Sequence, residues 1–316
     1  MERISLLKYP DLILCSDMHL REDIPICRTD DYWKAQWEKI DFISNLQKKY
    51  NCPVVHGGDL FDHWKPSPNL LRETILHLPA QFYTIYGQHD LPQHSLELVD
   101  KCGINVLEAA GKLQVLPGTH WGTEPDTSTE ANIYGKNVSL YFPCKSENIK
   151  LGRHASGYSI LVWHVMNYQG SKPWPGCTDS SAIKLLQKYP QFDLILTGDN
   201  HKPFVEMFDG RLLVNPGSMM RMDAGQIDFK PRIYLWYAET NSVSIVYLPI
   251  QEGVVSREHL EKTTQREGRI DAYISKLDLE WKSSLNYEDN VKMLLQKNHV
   301  RESVKSIVYK AMDQEV

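Results

Sequence analysis

The sequence predicts an α/β fold of two face-to-face mixed β-sheets flanked by helices, followed by a small helical module at the C-terminal end. Three observations carry this. Short apolar runs alternate with amphipathic helical stretches up to about residue 200. From there, strand-like runs follow one another across short turns. After Pro249 the chain becomes charged, poor in glycine and proline, and helical in pattern.

Residues 12–15, 53–56, 82–86, 160–163 and 194–197 are apolar runs of four or five residues, each leading within two residues to Gly, Asp or His. That is the length and patterning of buried strands. Between the first two, residues 31–50 place Trp33, Trp37, Ile40, Ile43 and Leu46 at helical spacing. Residues 67–78 open with Ser-Pro, a helix-start signal, and residues 178–189 are a further helix candidate. Strand–helix–strand alternation argues mostly parallel pairing. Residues 203–208, 211–214, 232–238 and 242–248 then read as successive strands of an antiparallel sheet, with Asp209-Gly210 as a hairpin turn. Residues 118–132 are rich in turn formers and are expected as an exposed loop. The expected division is a catalytic domain over 1–250 and a helical module over 251–316.

Composition bounds the function. With 316 residues, 42% hydrophobic and 24% charged, the chain can bury a sizeable core. No apolar run approaches the ~18 residues of a membrane span, and residues 1–20 lack a signal-peptide pattern. The expectation is a cytoplasmic protein without a membrane partner. Cys15, Cys27, Cys52, Cys102, Cys144 and Cys177 are scattered with no C-x-x-C pair, which favours reduced thiols. The net charge of −5 does not advertise a nucleic-acid binder and favours a small nucleotide over DNA. Acids that serve as metal ligands soften that argument, because bound cations reverse the local field.

The chemistry lies at the ends of the five strands. They lead in turn to Asp17 and His19, to Asp59 and Asp62, to Gln88, His89 and Asp90, to His164, and to Asp199 and His201. Loops at the carboxyl ends of strands converge on a common crevice. Taken singly, Asp-x-His and Gly-Asp-x-x-Asp are ordinary turn chemistry, and a histidine ending a strand is usually structural. In chain order at five strand ends they form a metal-ligand set. Mixed carboxylate, imidazole and amide ligation suits manganese, iron or zinc better than calcium. Asp59, central in the set, is the natural bridge between two divalent ions, which ~3.5–4 Å apart can share a hydroxide and clamp a phosphoryl group.

This ordered set resembles the calcineurin-like metallophosphoesterases, and within them the SbcD-type DNA repair nucleases and phage-encoded relatives. The closest stretches are Gly57-Gly58-Asp59-Leu60-Phe61 with Lys65-Pro66-Ser67, and Asn215-Pro216-Gly217-Ser218. The resemblance implies a binuclear phosphodiesterase, a DNA nuclease in its nearest branch, with a small-nucleotide phosphodiesterase and a degraded-site binding module as the other readings. Asp17, His19, Asp59 and His201 would hold one metal; Asp59, Gln88, His164 and Asp199 the other. His89 would act on the phosphate or leaving oxygen, with Asp90 orienting its ring. An SbcC-like ATPase partner is implied, and a homodimer is left open. The sequence departs from the pattern at Gln88, where the family has Asn; at Asp199, where it has His; and at Asp62, where the nucleases have His. The carboxylate of Asp199 points toward manganese or magnesium.

Arg21, Lys65, Lys202, Arg211 and Arg221 flank the motifs as candidate phosphate contacts or as surface charges. Trp64 and Trp174 are candidate base-stacking residues, and Trp163, inside an apolar strand, is expected in the core.

Overall fold

The computed structural model describes residues 9–116, 128–133, 136–141, 157–280 and 287–312. The chain divides into two compact units, Met1–Ser256 and Arg257–Val316.

The first unit opens with β1 (Leu12–Cys15), α1 (Tyr32–Tyr50), β2 (Val54–His56), α2 (Pro68–His77) and β3 (Phe82–Thr84). α3 (Gly103–Ala109) and β4 (Gln114–Val115) follow. Next come β5 (Ser128–Ile133), β6 (Lys136–Tyr141), β7 (Tyr158–His164), β8 (Asn167–Tyr168), β9 (Ser180–Ser181), α4 (Ala182–Lys188) and β10 (Leu194–Gly198). Two hairpins close the unit: β11 (Phe204–Phe208) with β12 (Arg211–Asn215), and β13 (Arg232–Tyr237) with β14 (Ser242–Tyr247).

One six-stranded sheet has the order β14-β13-β1-β2-β3-β4 and the other β11-β12-β10-β7-β6-β5, with β8 and β9 as a separate short ladder. Both are mixed. β1 pairs parallel with β2 and antiparallel with β13, and β10 pairs parallel with both β7 and β12. Alternation of side chains along each strand assigns the layers. Leu12 and Leu14 face one cluster with Val55, Ile160, Val162, Leu194, Leu196 and Trp236, which is the core between the sheets. Ile13 and Cys15 point the other way, against Trp37, Ile40 and Ile43 of α1. Leu161, Trp163, Ile195 and Leu213 do the same on the far side, against Leu185 and Leu186 of α4. The result is four layers: helices, sheet, sheet, helix. Fully apolar strands are what two covered faces require.

Local chemistry sets the helix ends. Asp31 caps α1 by accepting the Lys34 amide at 2.9 Å, and Asn51 closes it in the left-handed conformation. Ser67 caps α2 by accepting the Leu70 amide at 3.0 Å, with Pro68 at the first helical position.

Several expectations are corrected. The four later strands do not form one antiparallel sheet: β11 and β12 extend the second sheet, and β13 inserts beside β1 in the first. Hairpin signals fix local pairing and leave open which sheet edge receives the hairpin. The helix expected over 178–189 begins only at Ala182, because Ser180 and Ser181 pair with Asn167 and Tyr168. Of the loop expected over 118–132, residues 118–127 lie outside the described residues, and Ser128 onward is the strand β5. Residues 251–256, expected with the helical module, pack in the first unit: Val254 and Val255 are buried with Cys27 and Ala224.

The second unit holds α5 (Glu258–Glu280), α6 (Tyr287–Lys297) and α7 (Glu302–Met312). Among the described residues no helix is long and apolar enough to cross a membrane. Cys15, Cys27, Cys52, Cys102 and Cys177 are buried free thiols, and Cys144 lies outside the described residues.

Candidate metal centre

The ends of β1, β2 and β3 in one sheet meet the ends of β7 and β10 in the other. Asp17, His19 and Asp59 all follow strand ends in the left-handed region, with φ of 48°, 45° and 57°, and Asp199 has φ 74°. Non-glycine residues rarely adopt it, and such strain gathers where a fold must aim particular side chains. Backbone hydrogen bonds hold the turns together: Asp17 N donates to Gly58 O at 3.0 Å, and His19 N to Asp59 O at 3.0 Å. Met219 N donates to Asp17 O at 3.0 Å, tying in the segment after β12.

The turns pack too closely for side chains at two glycines. A Cβ on Gly198 would lie 2.6 Å from both Gly57 O and His164 Nδ1. A Cβ on Gly58, itself at φ +97°, would lie 2.7 Å from His164 Nδ1.

Three clusters of donor atoms lie within 4.8 Å of one another: Asp17, His19 and His201; Asp17, Asp59 and His164; and His19, Asp62 and His89. His19 Nε2 is 3.6 Å from Asp59 Oδ2 and 3.2 Å from His201 Nε2. His164 Nδ1 lies 2.8 Å from Gly57 O. A carbonyl only accepts, so Nδ1 carries the hydrogen. Nε2 is then the ring atom that faces Asp59 Oδ2, at 3.2 Å, and the one whose lone pair a cation would take in place of a proton.

The electrostatics follow. Burial opposes charge on His164, but the Asp59 carboxylate outweighs it and holds the imidazole up at about 10. Burial likewise opposes the Asp59 charge, and His164 then His19 pull that carboxyl well below its usual range. Burial works against charge on His19 too, and Asp62, Asp59 and Asp17 still raise it. Asp17 Oδ2 and His164 Nε2 are buried without a hydrogen-bond partner, and His19 Nδ1, also without one, faces Asp62 rather than this point. Orphaned carboxylate oxygen and imidazole nitrogen at one point are a donor set that fits divalent cations.

Gln88 and Asp199 adjoin this set, the Asp199 amide donating to Asp17 Oδ1 at 3.0 Å. Gln88 Nε2 donates to Asp199 Oδ1 at 2.8 Å, so the two departures from the family pattern are partners. Asp199 joins none of the three donor clusters among the described residues.

The expected pairing of Asp90 with the His89 ring does not form. Asp90 is buried, and its oxygens accept the amides of Leu60 at 3.2 Å, Phe61 at 3.0 Å and Gly87 at 3.0 Å. Burial, then the neighbouring Asp59 charge, push it up to about 7. It is a positioning residue for the Asp59 turn. The His89 ring instead donates from Nδ1 to Asp62 O at 2.9 Å, while its backbone amide donates to Asp59 Oδ1 at 2.9 Å.

Asp62 is more central than its sequence suggests. Its carboxylate lies 3.5 Å from His19 Nδ1 and 3.0 Å from Arg21, while its carbonyl holds His89. Asn215 was missed by motif reading; it donates to Asn200 O at 2.8 Å and so shapes the loop carrying His201. Its place in Asn-Pro-Gly-Ser was the available signal. Of the flanking cations, Arg211 binds the carbonyls of Leu186 and Tyr189, and Arg221 those of Ile227 and Gln251. Lys65 and Lys202 are exposed. Trp163 is in the core, Trp64 packs half-buried against the first core cluster, and Trp174 is exposed.

Residues 11–203 match the family model described as calcineurin-like phosphoesterase. The DNA double-strand break repair protein Mre11 of Methanosarcina acetivorans is 29% identical over 200 residues, covering 59% of this chain and 30% of that protein. Mre11 of Thermoplasma acidophilum is 32% identical over 90 residues, 25% of this chain and 23% of that protein. The chain thus spans under a third of the length of these relatives. Among solved structures, a 5′-nucleotidase homologue from Staphylococcus aureus covers 81% of this chain and 58% of its own, at 14% identity and a TM-score of 0.45. With most of the first unit covered by one family model, and its strand-end acids and histidines gathered at one point, the chain belongs to the calcineurin-like phosphoesterase family.

Proposed function

We propose that this chain is a binuclear metal-dependent phosphodiesterase that cleaves DNA. The observation that carries the metal reading is the shared focus on Asp59, whose Oδ2 lies 3.2 Å from His164 Nε2 and 3.6 Å from His19 Nε2. A carboxylate placed between two imidazoles from different strands is suited to bridge two ions. Asp17, His19, Asp59 and His201 would hold one ion and Asp59, Gln88, His164 and Asp199 the other, with manganese as the expected metal. Two divalent ions there would lower the pKa of an attacking water and neutralise charge on the phosphate oxygens.

The protein's own groups do the rest. Asp62 faces the His19 ring at 3.5 Å and, through its carbonyl, fixes His89 by Nδ1, so that the doubly protonated ring would present Nε2–H to the leaving oxygen. Asp90 keeps the Asp59 turn in place through three amides. The DNA assignment rests on the run from Gly57 to Ser67 and on the DNA-repair relatives. On the same resemblance, the helices from Arg257 onward are the element that would meet an ATPase partner.

A small-nucleotide substrate is the second reading, favoured by the net charge of −5. The test is manganese-loaded protein incubated with labelled single- and double-stranded DNA beside the His89→Ala variant. Cleavage by the parent and not the variant supports the nuclease. Hydrolysis of a generic phosphodiester without DNA cleavage overturns it in favour of a nucleotide substrate.

A further inference from the structure

A second polar cavity, of about 240 Å³, lies in the first unit away from the donor clusters. It is walled by the start of α1, by Arg28 before it, by Arg221 after β12, and by residues 249–251.

Its charges do not balance. Three carboxylates line it, and each is committed. Asp30 is held in a two-pronged pair by Arg28, with Nε to Oδ1 at 2.8 Å and Nη2 to Oδ2 at 2.5 Å. Asp31 caps α1, and Glu38 lies 3.7 Å from Lys34 at the exposed rim. Two cations remain. Arg221 is 4% exposed, and its guanidinium bonds only neutral carbonyls, Ile227 O at 3.2 Å and Gln251 O at 2.6 Å. Lys39 is also 4% exposed, and its Nζ bonds only Ala35 O of its own helix, at 3.3 Å. Neither has a carboxylate within ion-pairing distance among the described residues. Burial, then Arg28 and Arg221, push the Lys39 ammonium down to about 8.

Burying charge with no carboxylate in contact is costly, and Asp30, Glu38 and Glu252 act on these two cations only from a distance.

We propose that this cavity binds a small phosphate-bearing anion between Arg221 and Lys39. Beyond the two N–H groups that bind carbonyls, the Arg221 guanidinium has further donors for phosphate oxygens, and Lys39 adds a point charge in the same lining. Free phosphate and the phosphate of a small monoester share this chemistry. The site has a structural route to the donor clusters: two residues before Arg221, Met219 N binds Asp17 O, and Ser218 N donates to His201 O at 3.3 Å.

The experiment is calorimetric titration of chelator-treated full-length protein with inorganic phosphate, a 5′-mononucleotide, and acetate. Chelation removes phosphate binding through metal. The parent should bind phosphate or the mononucleotide, and whichever binds tighter identifies the source. Lys39→Met and Arg221→Lys should each weaken binding roughly tenfold or more, the loss expected for one charged hydrogen-bond partner. Lys39→Met removes an uncompensated buried charge, so it should fold even if Arg221→Lys does not, as circular dichroism will report. No phosphate or mononucleotide binding by the parent, acetate binding as tight as phosphate, or unchanged affinity in folded Lys39→Met would each overturn the proposal.

Discussion

His164 Nε2 and Asp59 Oδ2 face each other across 3.2 Å from the ends of strands in two different sheets. The sandwich is therefore closed at its functional end by a contact between a base and an acid. Each side chain is aimed from behind, His164 by the Gly57 carbonyl and Asp59 by the His89 amide.

Asp59→Asn should lose at least one metal per chain and abolish phosphodiester hydrolysis, because the amide removes the negative charge shared by both imidazoles. Elemental analysis alongside a turnover assay reads both quantities. Full activity with full metal content would refute a bridging role.

Asp62→Ala should leave the fold intact and weaken metal affinity by roughly 10–100-fold, the usual cost of losing an outer partner of a ligating histidine. The Asp62 carboxylate stands 3.5 Å from His19 Nδ1. Competitive chelator titration measures the change, and an unaltered affinity would show that Asp62 serves only Arg21.

His89→Ala should retain both metals and lower turnover by roughly 10²–10⁴-fold, the range for a positioned acid or base. Its Nδ1 is committed to the Asp62 carbonyl, so one ring nitrogen is left for chemistry. Loss of metal in this variant would make His89 a ligand through the cluster it shares with His19 and Asp62.

Gly198→Ala should destabilise the chain by about 1–3 kcal/mol, as overpacking does. The added Cβ would meet Gly57 O and His164 Nδ1, both at 2.6 Å. Urea denaturation measures the loss. A variant as stable as the parent would mean that the strand ends separate without cost.

Stability should rise with pH between about 8 and 10.5 through Lys39. Below about 8 the folded and unfolded chains both hold the proton, and folding carries the full cost of burying the charge. Between about 8 and the ordinary value of 10.5 only the unfolded chain retains it, so the folded state gains. Denaturation across this window in phosphate-free buffer should show a slope that Lys39→Met flattens. An equal slope in both proteins would remove Lys39 as its source.

The five strands that lead to the donor residues were legible, in their order along the chain, because buried strands are short apolar runs that end where a turn must form. The donor residues were legible because each sits at such an end. Roles that depend on partners were not. Nothing in Gln88-His89-Asp90 tells that the acid bends back onto Leu60, Phe61 and Gly87 while the histidine turns to Asp62.

The sequence alone determined the alternation of strand and helix, the family pattern, and the residues able to bind metal, since these follow from hydrophobic period and residue type. Tertiary structure decided which sheet takes each hairpin, which nitrogen of His164 faces Asp59, and which buried cations lack a counter-charge. Those depend on distances between segments far apart in the chain, as with Arg28, Lys39 and Arg221, whose surroundings form only when the sheets and α1 have packed.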